Sequence, residues 1–316
     1  MSKILTTTNT NPHRNLAMED ALLRSVAEPT LFLWQNAHTV VIGAGQNAWR
    51  ECRTQLLRDE GGTLARRSSG GGAVYHDMGN LNFSFLMPRE MYDVARQLGV
   101  ICDAMAALGV RAEPTGRNDI LAEGRKFSGN AFRILKHGAL HHGTLLVDVD
   151  MEKLGRYLNV DARKMAMKGV KSVPARVINI RELADVGVAD VHAALLQAFR
   201  AEYGQAEALD VNDAQVPGYE ALRAVYERWE HNYGQSPAGE INLSERFHWG
   251  GLEISLTLEG GHIAGAQVFT DAMDEHLHET LASALVGAAF APKEMAARAE
   301  AAGLGEVAAY LGGLDV

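Results

Sequence analysis

The sequence predicts an α+β protein, with a mixed β-sheet domain flanked by helices and a small C-terminal α+β domain. Strand-like runs of β-branched and aromatic residues occupy residues 31–42, and a helical pattern covers residues 93–108. A second strand-rich stretch begins only near residue 250. The 316 residues also exceed the length of about 250 at which single cores stop growing. We therefore predict two domains, at residues 1–238 and 246–316.

The first part of the chain predicts a helix, two strands, a glycine loop and a third strand. Asn15 is a candidate cap for a helix through residues 16–28, whose early turns contain acidic residues. Residues 31–42 read as two strands joined by a polar turn. After the glycine loop, apolar residues at every second position of residues 81–87 predict a strand with one buried face.

The central part predicts a helix followed by a hairpin. Apolar residues recur at helical spacing in residues 93–108, and Gly109 follows as a C-cap. The segment DILAEGRKFSG has short apolar runs on either side of Glu123 and Gly124, which predicts a hairpin turn. Such a turn places Asp119 and Lys126 on opposing strands, where both side chains can face one site.

The last part predicts two helices, a linker and the small domain. Helices at residues 191–203 and 219–233 each end at a glycine. Residues 235–245 are polar and lack periodicity, as expected of a linker. A hairpin around Gly260 and Gly261 and an alanine-rich helical stretch from about Glu275 complete the chain.

Composition narrows the functional classes. Hydrophobic residues make up 47% and charged residues 22%, as in globular proteins. The net charge of −9 argues against a general nucleic-acid binder, so an anionic ligand needs a local group of positive charges. Cys52 and Cys102 are too few for a disulfide framework or a cysteine zinc site. Without a signal peptide or a run of about 18 apolar residues, a cytoplasmic protein with no membrane partner is expected.

The segment RRSSGGGAVYHDMGNLN, residues 66–82, is the most informative stretch. Three consecutive glycines leave this stretch of backbone without Cβ atoms, so a ligand can touch the main chain and N–H groups can face an anion. Arg66 and Arg67 offer planar forks suited to phosphate or carboxylate, and Ser69 adds a hydroxyl. The segment is neither a P-loop nor a dinucleotide-binding motif, and a flexible surface loop with solvated arginines is the alternative.

Three further stretches carry candidate site residues. Lys126 lies in a predicted strand, and Asp119 opposite it could hold Mg²⁺. A solvated lysine, and an aspartate in a turn or a salt bridge to a neighbouring arginine, are the alternatives. His142 and Gly143 in HHGTLL could face a ligand. Paired histidines also suggest a metal site, but no HxxxH or nearby cysteine supports zinc. Residues 164–177 form a basic loop that includes Lys168, or else a solvated charged connection.

Together these motifs resemble the long bacterial kind of lipoate-protein ligase. RRSSGGGAVYHDMGNLNFSF is similar to the lipoate-binding loop and strand of that family, and GRNDIL with GRKFSGNAFR is similar to its central hairpin and lysine. HHGTLL and KGVKSVPARV are similar to its adenylate-binding part. The resemblance covers nearly the whole chain and implies a mixed-sheet catalytic domain of the biotin/lipoate ligase type, with a small C-terminal domain that changes orientation between two half-reactions.

The resemblance also implies roles for individual residues, with Lys126 as the catalytic residue. The implied contacts for ATP or the lipoyl adenylate are Arg67, Gly72, Ala73, Val74, Tyr75, Asn118, Asp119, Lys126 and Lys168. The implied contacts for lipoate are Arg67, Ser69, Gly70, Gly71, Lys126, His142 and Gly143. Asp119 is in addition the candidate ligand for Mg²⁺.

The implied activity is ATP-dependent activation of lipoate to lipoyl-AMP, followed by transfer of the lipoyl group to a lysine. The implied acceptors are lipoyl domains of 2-oxoacid dehydrogenase E2 subunits and the glycine cleavage H protein, with ATP and Mg²⁺ as cofactors. Three alternatives remain: an octanoyltransferase, which needs a thiolate nucleophile, a biotin ligase, which has a different glycine loop, and a non-catalytic lipoate-binding protein. No nucleic-acid partner is expected.

Overall fold

The structure is a computed structural model of the chain. The residues that it describes are 2–115, 118–158, 177–211, 216–270, 272, 274, 276–314 and 316. Within this described part, no helix has the length and apolar character needed to cross a membrane.

Fourteen strands are present among the described residues, in three sheets. In chain order they are β1 (Lys3–Thr6), β2 (Thr30–Trp34), β3 (Thr39–Ile42), β4 (Thr63–Arg66), β5 (Val74–His76), β6 (Asn80–Pro88), β7 (Glu113–Pro114), β8 (Asp119–Ala122), β9 (Arg125–Ile134), β10 (Gly138–Leu146), β11 (Ala208–Asp210), β12 (Gly239–Phe247), β13 (Gly250–Glu259) and β14 (His262–Thr270).

Ten α-helices accompany the strands in the described part of the chain. They are α1 (Pro12–Ser25), α2 (Ala48–Glu51), α3 (Thr54–Asp59), α4 (Val94–Ala107), α5 (Met151–Leu158), α6 (Val188–Tyr203), α7 (Tyr219–Tyr226), α8 (Leu277–Leu285), α9 (Pro292–Ala301) and α10 (Gly305–Gly312). Short 3₁₀ turns occur at Arg89–Met91 and Ile180–Glu182, and a π-helical turn at Glu230–Gly234.

The largest sheet has eight strands in the order β11-β1-β2-β6-β10-β9-β8-β7. The pairs β11–β1 and β1–β2 are parallel and the remaining pairs are antiparallel, which confirms the predicted mixed sheet. α4 and α6 pack on one face, whereas α1 and α7 pack on the other. Because both faces are covered, β6 is buried along its whole length, and the prediction of a single buried face was wrong.

The two smaller sheets pack together in one apolar core. The sheet β4-β3-β5, the sheet β12-β13-β14 and the helices α8 to α10 all contribute to it. Trp49, which is 2% exposed, lies at this junction with ring centroids 5.3 Å from Phe290 and 5.9 Å from Tyr233. Gly261 adopts φ +77°, and a Cβ there would lie 2.9 Å from the Trp49 ring. A glycine is therefore required where the C-terminal hairpin turns against Trp49.

Several predicted elements differ from the structure at their ends. The first helix begins at Pro12 with Asn11 as its cap, not at Asn15, because the Asn15 amide donates to the carbonyls of Asn9 and Gln35 and to the Asn36 side chain. The predicted helix at residues 219–233 is divided into α7 and the π-helical turn. The helix at residues 93–108 and the helix ended by Gly204 are confirmed.

The predicted linker was wrong in its second half. β12 begins at Gly239, so the strand crosses the predicted domain start at residue 246. In this polar segment only Ile241 and Leu243 are buried, alternating with exposed Glu240 and Asn242. Two apolar residues in an alternating pattern are enough for a strand here because β13 supplies a partner along the whole length of β12. The hairpin of β13 and β14 and the helices that follow it are confirmed.

The junction core makes Trp49 a test of how the C-terminal part is held. We expect Trp49→Ala to lower the free energy of unfolding by about 3–5 kcal/mol, because the substitution empties a well-packed site. Urea denaturation followed by circular dichroism measures the change. The matched control is Trp249→Ala, since Trp249 is only half-buried and bonds to exposed Glu306. Equal losses in the two variants would contradict this account of the junction.

Candidate active site

The buried side chain of Arg67 links the two ends of the triple-glycine loop by hydrogen bonds. Its Nη2 donates to the carbonyl oxygens of Gly70 and Gly72, each at 2.7 Å, and its Nε donates to Ser69 Oγ at 3.1 Å. Burial lowers the pKa of Arg67 to about 10, which leaves the guanidinium protonated at neutral pH. The structure thus places Arg67 behind the loop, with its donors bound to loop oxygens.

The glycines themselves leave the main chain open. Gly70 and Gly71 are exposed, and Gly71 adopts φ +94°, a conformation that favours glycine. A Cβ on Gly43 would lie 2.3 Å from the Gly71 carbonyl oxygen, so the neighbouring loop can pack here only with glycine at that position. The resulting cradle of exposed backbone suits an anionic or acyl ligand that approaches the main chain closely.

The rest of the predicted loop is progressively buried. Gly72, Ala73 and Val74 are half-buried as the chain enters β5. Tyr75 pairs with Val40 through its backbone, and its ring is buried with centroids 6.0 Å from His38 and 5.6 Å from Tyr157. A contact between Tyr75 and a nucleotide would therefore use its main chain.

Arg66 anchors the same loop to the segment that leads into β12. Its guanidinium donates to the carbonyl oxygens of Gly43, Ala44 and Gln46, to that of Asn232, and to Ser236 Oγ. The side chain is fully buried, and burial lowers its pKa to about 10. The sequence suggested a fork for phosphate, but every donor is used within the protein.

Lys126 and Asp119 meet across the predicted hairpin. The turn at Glu123 and Gly124, with φ +50° and +71°, joins β8 and β9 as expected. Lys126 Nζ lies 2.6 Å from Asp119 Oδ1, and the two side chains are 23% and 29% exposed. Asp119 pairs with Gly129, whose missing Cβ would lie 3.0 Å from Lys126 Nζ. The bare Gly129 therefore leaves room for the ammonium group beside the carboxylate.

The hairpin and the glycine loop share one face of the main sheet. A Cβ on Gly71 would lie 3.9 Å from Ala131 Cβ, so the loop covers β9 at Ala131. Gly129 precedes Ala131 by two residues on the same face, a distance of about 7 Å along the strand. Because the Lys126 ammonium lies over Gly129, it flanks the exposed glycines. The structure thus brings together the two motifs that the sequence separated by about fifty residues.

A chain of buried hydrogen bonds forms the floor beneath the loop. Ser69 Oγ is 2.6 Å from His142 Nε2, and His142 Nδ1 is 2.7 Å from Glu19 Oε1. Ser84 Oγ donates to the same Glu19 oxygen at 2.5 Å and accepts from Trp34 Nε1 at 2.9 Å. A His142 tautomer protonated at Nδ1 satisfies both of its contacts. Glu19, Ser84 and Trp34 were missed because no local motif links a helix and two strands.

Two predicted site residues have other neighbours. A Cβ on Gly143 would lie 2.6 Å from both the Phe83 ring and the Gly129 carbonyl, so Gly143 faces the core on the side of α4 and α6. Asn118 is exposed, and its carbonyl accepts from the backbone and side-chain amides of Asn130. Lys168 lies outside the described residues, as do residues 164–176 of the predicted basic loop.

The prediction of Mg²⁺ at Asp119 does not fit this arrangement. Asp119 Oδ1 is 2.6 Å from an ammonium group, so a dication at the 2.0–2.1 Å that Mg²⁺ keeps from oxygen would lie against a positive charge. In the described part of the chain, no group of three or more His, Cys, Asp or Glu side chains is placed to hold a metal ion.

Comparisons with known proteins find a family match in each half of the chain. Residues 11–200 match the family described as Lipoyl protein ligase A/B catalytic domain, and residues 236–313 match the Bacterial lipoate protein ligase C-terminus. P. falciparum LipL1, solved in complex with lipoate, is 27% identical with a TM-score of 0.67, and the match covers 99% of each chain.

Two further solved structures match about three quarters of the chain. A lipoate-protein ligase A bound with ATP is 27% identical, with a TM-score of 0.63, over 74% of this chain and 100% of its own. A bi-partite lipoate protein ligase from Thermoplasma acidophilum, described with its E2 lipoyl domain, is also 27% identical, with a TM-score of 0.64, over 74% and 97%.

The environment of Gly143 predicts a structural role for it. We expect Gly143→Ala to destabilise the fold by about 1–3 kcal/mol, because the added methyl group meets Phe83 and a carbonyl oxygen. Gly70→Ala is the control, since a Cβ there has nothing within 4 Å. Thermal unfolding of both variants measures the difference, and an unchanged melting temperature for Gly143→Ala would show that the packing described here is wrong.

Proposed function

The chain belongs to the lipoyl protein ligase A/B family, and from that membership we propose how it activates lipoate with ATP and transfers the lipoyl group to a lysine of an acceptor protein. Residues 1–238 would form the catalytic domain, and the residues from β12 onward the accessory domain. The observation that carries the proposal is the position of the partly exposed Lys126 ammonium beside the exposed Gly70 and Gly71 backbone.

The acid would bind between the glycine loop and the main sheet. Ser69, Gly70 and Gly71 supply the loop side, and Lys126 with the His142 floor supplies the sheet side. LipL1 of P. falciparum, which shares this fold, was solved in complex with lipoate. Arg67 and Gly143 would act by holding the loop and the strand in shape, since their described contacts are within the protein.

Adenylation would then bring two anions together. The lipoate carboxylate attacks the α-phosphorus of ATP, a new O–P bond forms, and the bond to pyrophosphate breaks, which gives lipoyl-AMP. We propose that Lys126 and the main chain of Gly72, Ala73 and Val74 contact the phosphate oxygens and stabilise their negative charge, on the resemblance of these segments to the family. Asn118 would contact the nucleotide from the neighbouring hairpin, and Mg²⁺ would enter only as the counter-ion of ATP.

Transfer would use the same position. The acceptor amine attacks the lipoyl carbonyl, an amide bond forms, and AMP leaves as the anhydride C–O bond breaks. Lys126 can polarise the carbonyl during this attack because its flexible ammonium group is partly exposed. Lys168 and its basic neighbours remain proposed contacts for the adenylate, on the resemblance of their segment alone.

The acceptor proposals follow from the relatives. The Thermoplasma acidophilum ligase is described together with its E2 lipoyl domain, and we propose E2 lipoyl domains as acceptors here. The glycine cleavage H protein is proposed on the family resemblance of the sequence alone. The small number of cysteines fits a reducing compartment, and a cytoplasmic location is proposed on that ground.

A thioester route has no support from the two cysteines. Cys52 is fully buried in the core that joins the smaller sheets, and Cys102 lies within α4. Burial raises the pKa of the Cys102 thiol, which disfavours the thiolate that acyl transfer requires. An adenylate mechanism is therefore favoured over a cysteine-dependent octanoyltransferase.

Lys126 provides the first test of the mechanism. We expect Lys126→Ala to lower the rate of lipoate-dependent exchange between ATP and labelled pyrophosphate by at least about 100-fold, because an electrostatic contact to the reacting phosphate is lost. The exposed Lys136→Ala is the control for removal of a positive charge. Exchange at the wild-type rate in a folded Lys126→Ala protein would remove this residue from the mechanism.

The activity itself is tested by the mass of an acceptor. We expect an apo E2 lipoyl domain incubated with enzyme, lipoate and MgATP to gain one lipoyl group, and to gain none without ATP, since the acid must first be activated. Intact-protein mass spectrometry measures the gain. Binding of lipoate without any mass gain of E2 domain or H protein would favour the non-catalytic alternative.

A further inference from the structure

We propose that Asp119 is the base of the transfer step, accepting the proton that the acceptor lysine loses as its amide bond forms. This inference rests on the proposed function and names a residue that accepts the proton in the transfer step. It also gives the Asp119 carboxylate a role that its pairing with Lys126 permits, whereas that pairing does not fit a metal ligand.

The hairpin places Asp119 where the reacting amine must arrive. If Lys126 binds the lipoyl carbonyl, the reacting carbon lies close to Asp119, because Asp119 Oδ1 is 2.6 Å from the Lys126 ammonium. The Asp119 side chain is 29% exposed and its backbone pairs with Gly129, whereas its Oδ1, against Lys126, is itself buried. An acceptor lysine arriving from solvent would therefore meet the second carboxylate oxygen. A negative charge at this point also attracts the cationic side chain of the incoming lysine.

The proton balance of the step is simple. An acceptor ammonium first loses one proton to water, and the neutral amine attacks the lipoyl carbonyl. As the N–C bond forms, the nitrogen becomes positive and its remaining protons become acidic, so a carboxylate is then a strong enough base. Asp119 takes one proton, the C–O bond to AMP breaks with its electron pair on the phosphate oxygen, and Asp119 later returns the proton to water.

Other described bases near the site are unsuitable. His76 and His141 are buried, and burial lowers the pKa of each to about 3, which makes both weak bases. His142 is 5% exposed, and both of its ring nitrogens are bonded, one of them to Glu19. Glu19 is 1% exposed and lies under the floor of the site.

Two other carboxylates, one at the hairpin turn and one in the 3₁₀ turn at Ile180–Glu182, face another partner. Glu123 and Glu182 lie 3.7 Å and 3.6 Å from the guanidinium of Arg125. Glu123 is also at the hairpin turn and is 71% exposed, so it is suited as a control. Among the described residues of the hairpin, Asp119 is thus the carboxylate that contacts Lys126.

The experiment isolates the transfer step. Purified lipoyl-AMP is mixed with an excess of enzyme and an apo lipoyl domain in EDTA, so that neither adenylation nor a metal contributes. We expect Asp119→Asn and Asp119→Ala to slow single-turnover transfer by about 100-fold or more, the usual range for loss of a general base. Glu123→Gln should transfer at the wild-type rate.

Chemical rescue separates proton transfer from positioning of Lys126. Small carboxylates of rising basicity, from chloroacetate through formate to acetate, are added to Asp119→Ala. Restored transfer whose rate rises with the basicity of the carboxylate supports the proposal. Rescue that does not vary with basicity would indicate positioning of Lys126 and would overturn it.

The controls distinguish a failure of the role proposed for Asp119 from a failure of the proposed function. Lipoyl-AMP affinity and melting temperature are measured for each variant, so that loss of binding or of fold is recognised. Wild-type protein that cannot transfer from lipoyl-AMP would refute the proposed function itself. Wild-type transfer with an equal rate in Asp119→Asn would refute only the role of Asp119.

Discussion

Two adjacent buried guanidinium groups, whose described hydrogen-bond acceptors are backbone carbonyls and serine hydroxyls, fix the geometry on which the active site depends. A buried charge must be balanced by nearby dipoles, and Arg66 and Arg67 obtain these from backbone carbonyls. Arg67 binds the carbonyls of Gly70 and Gly72, whereas Arg66 binds those of residues 43–46 and of Asn232. The glycine loop is thereby held in one shape without a substrate, which is the preorganisation that electrostatic catalysis requires.

The site separates charges that hold the loop and the strands in shape from the charges that we propose to contact the substrate. Arg67 and Glu19 are 7% and 1% exposed, and their described hydrogen bonds are all within the protein. Lys126 and Asp119 form a single ion pair, each about a quarter exposed. An exposed ion pair contributes little to stability, so its two members can exchange partners during a reaction at small cost in folding free energy. The buried groups cannot do so without leaving a polar atom unsatisfied.

The sequence predicted the features that depend on local interactions, whereas features that depend on contacts between distant segments were missed. α4, α6 and the β8–β9 turn depend on local periodicity and glycine placement, and they were predicted together with the position of Asp119 and Lys126 on opposing strands. The ion pair between these two side chains was not predicted. Asn15 was misread as a helix cap because its amide bonds to chain segments up to 21 residues away. The chain from Ser69 through His142 and Glu19 to Trp34 joins four elements, so only the tertiary fold reveals it.

Residue type alone suggested that Arg66 and Arg67 offer their guanidinium groups to a ligand, whereas their described hydrogen bonds lie within the protein. The reason is geometric. A guanidinium carries five donors in a rigid fork, so it can capture several carbonyls at once and define a loop, whereas an ammonium on a flexible stem suits a charge that must follow a changing substrate. Gly129 makes the second arrangement possible, because its missing side chain leaves the space in which Lys126 meets Asp119. A glycine in a strand therefore leaves room for a positive charge and a carboxylate at the position that we propose for both half-reactions.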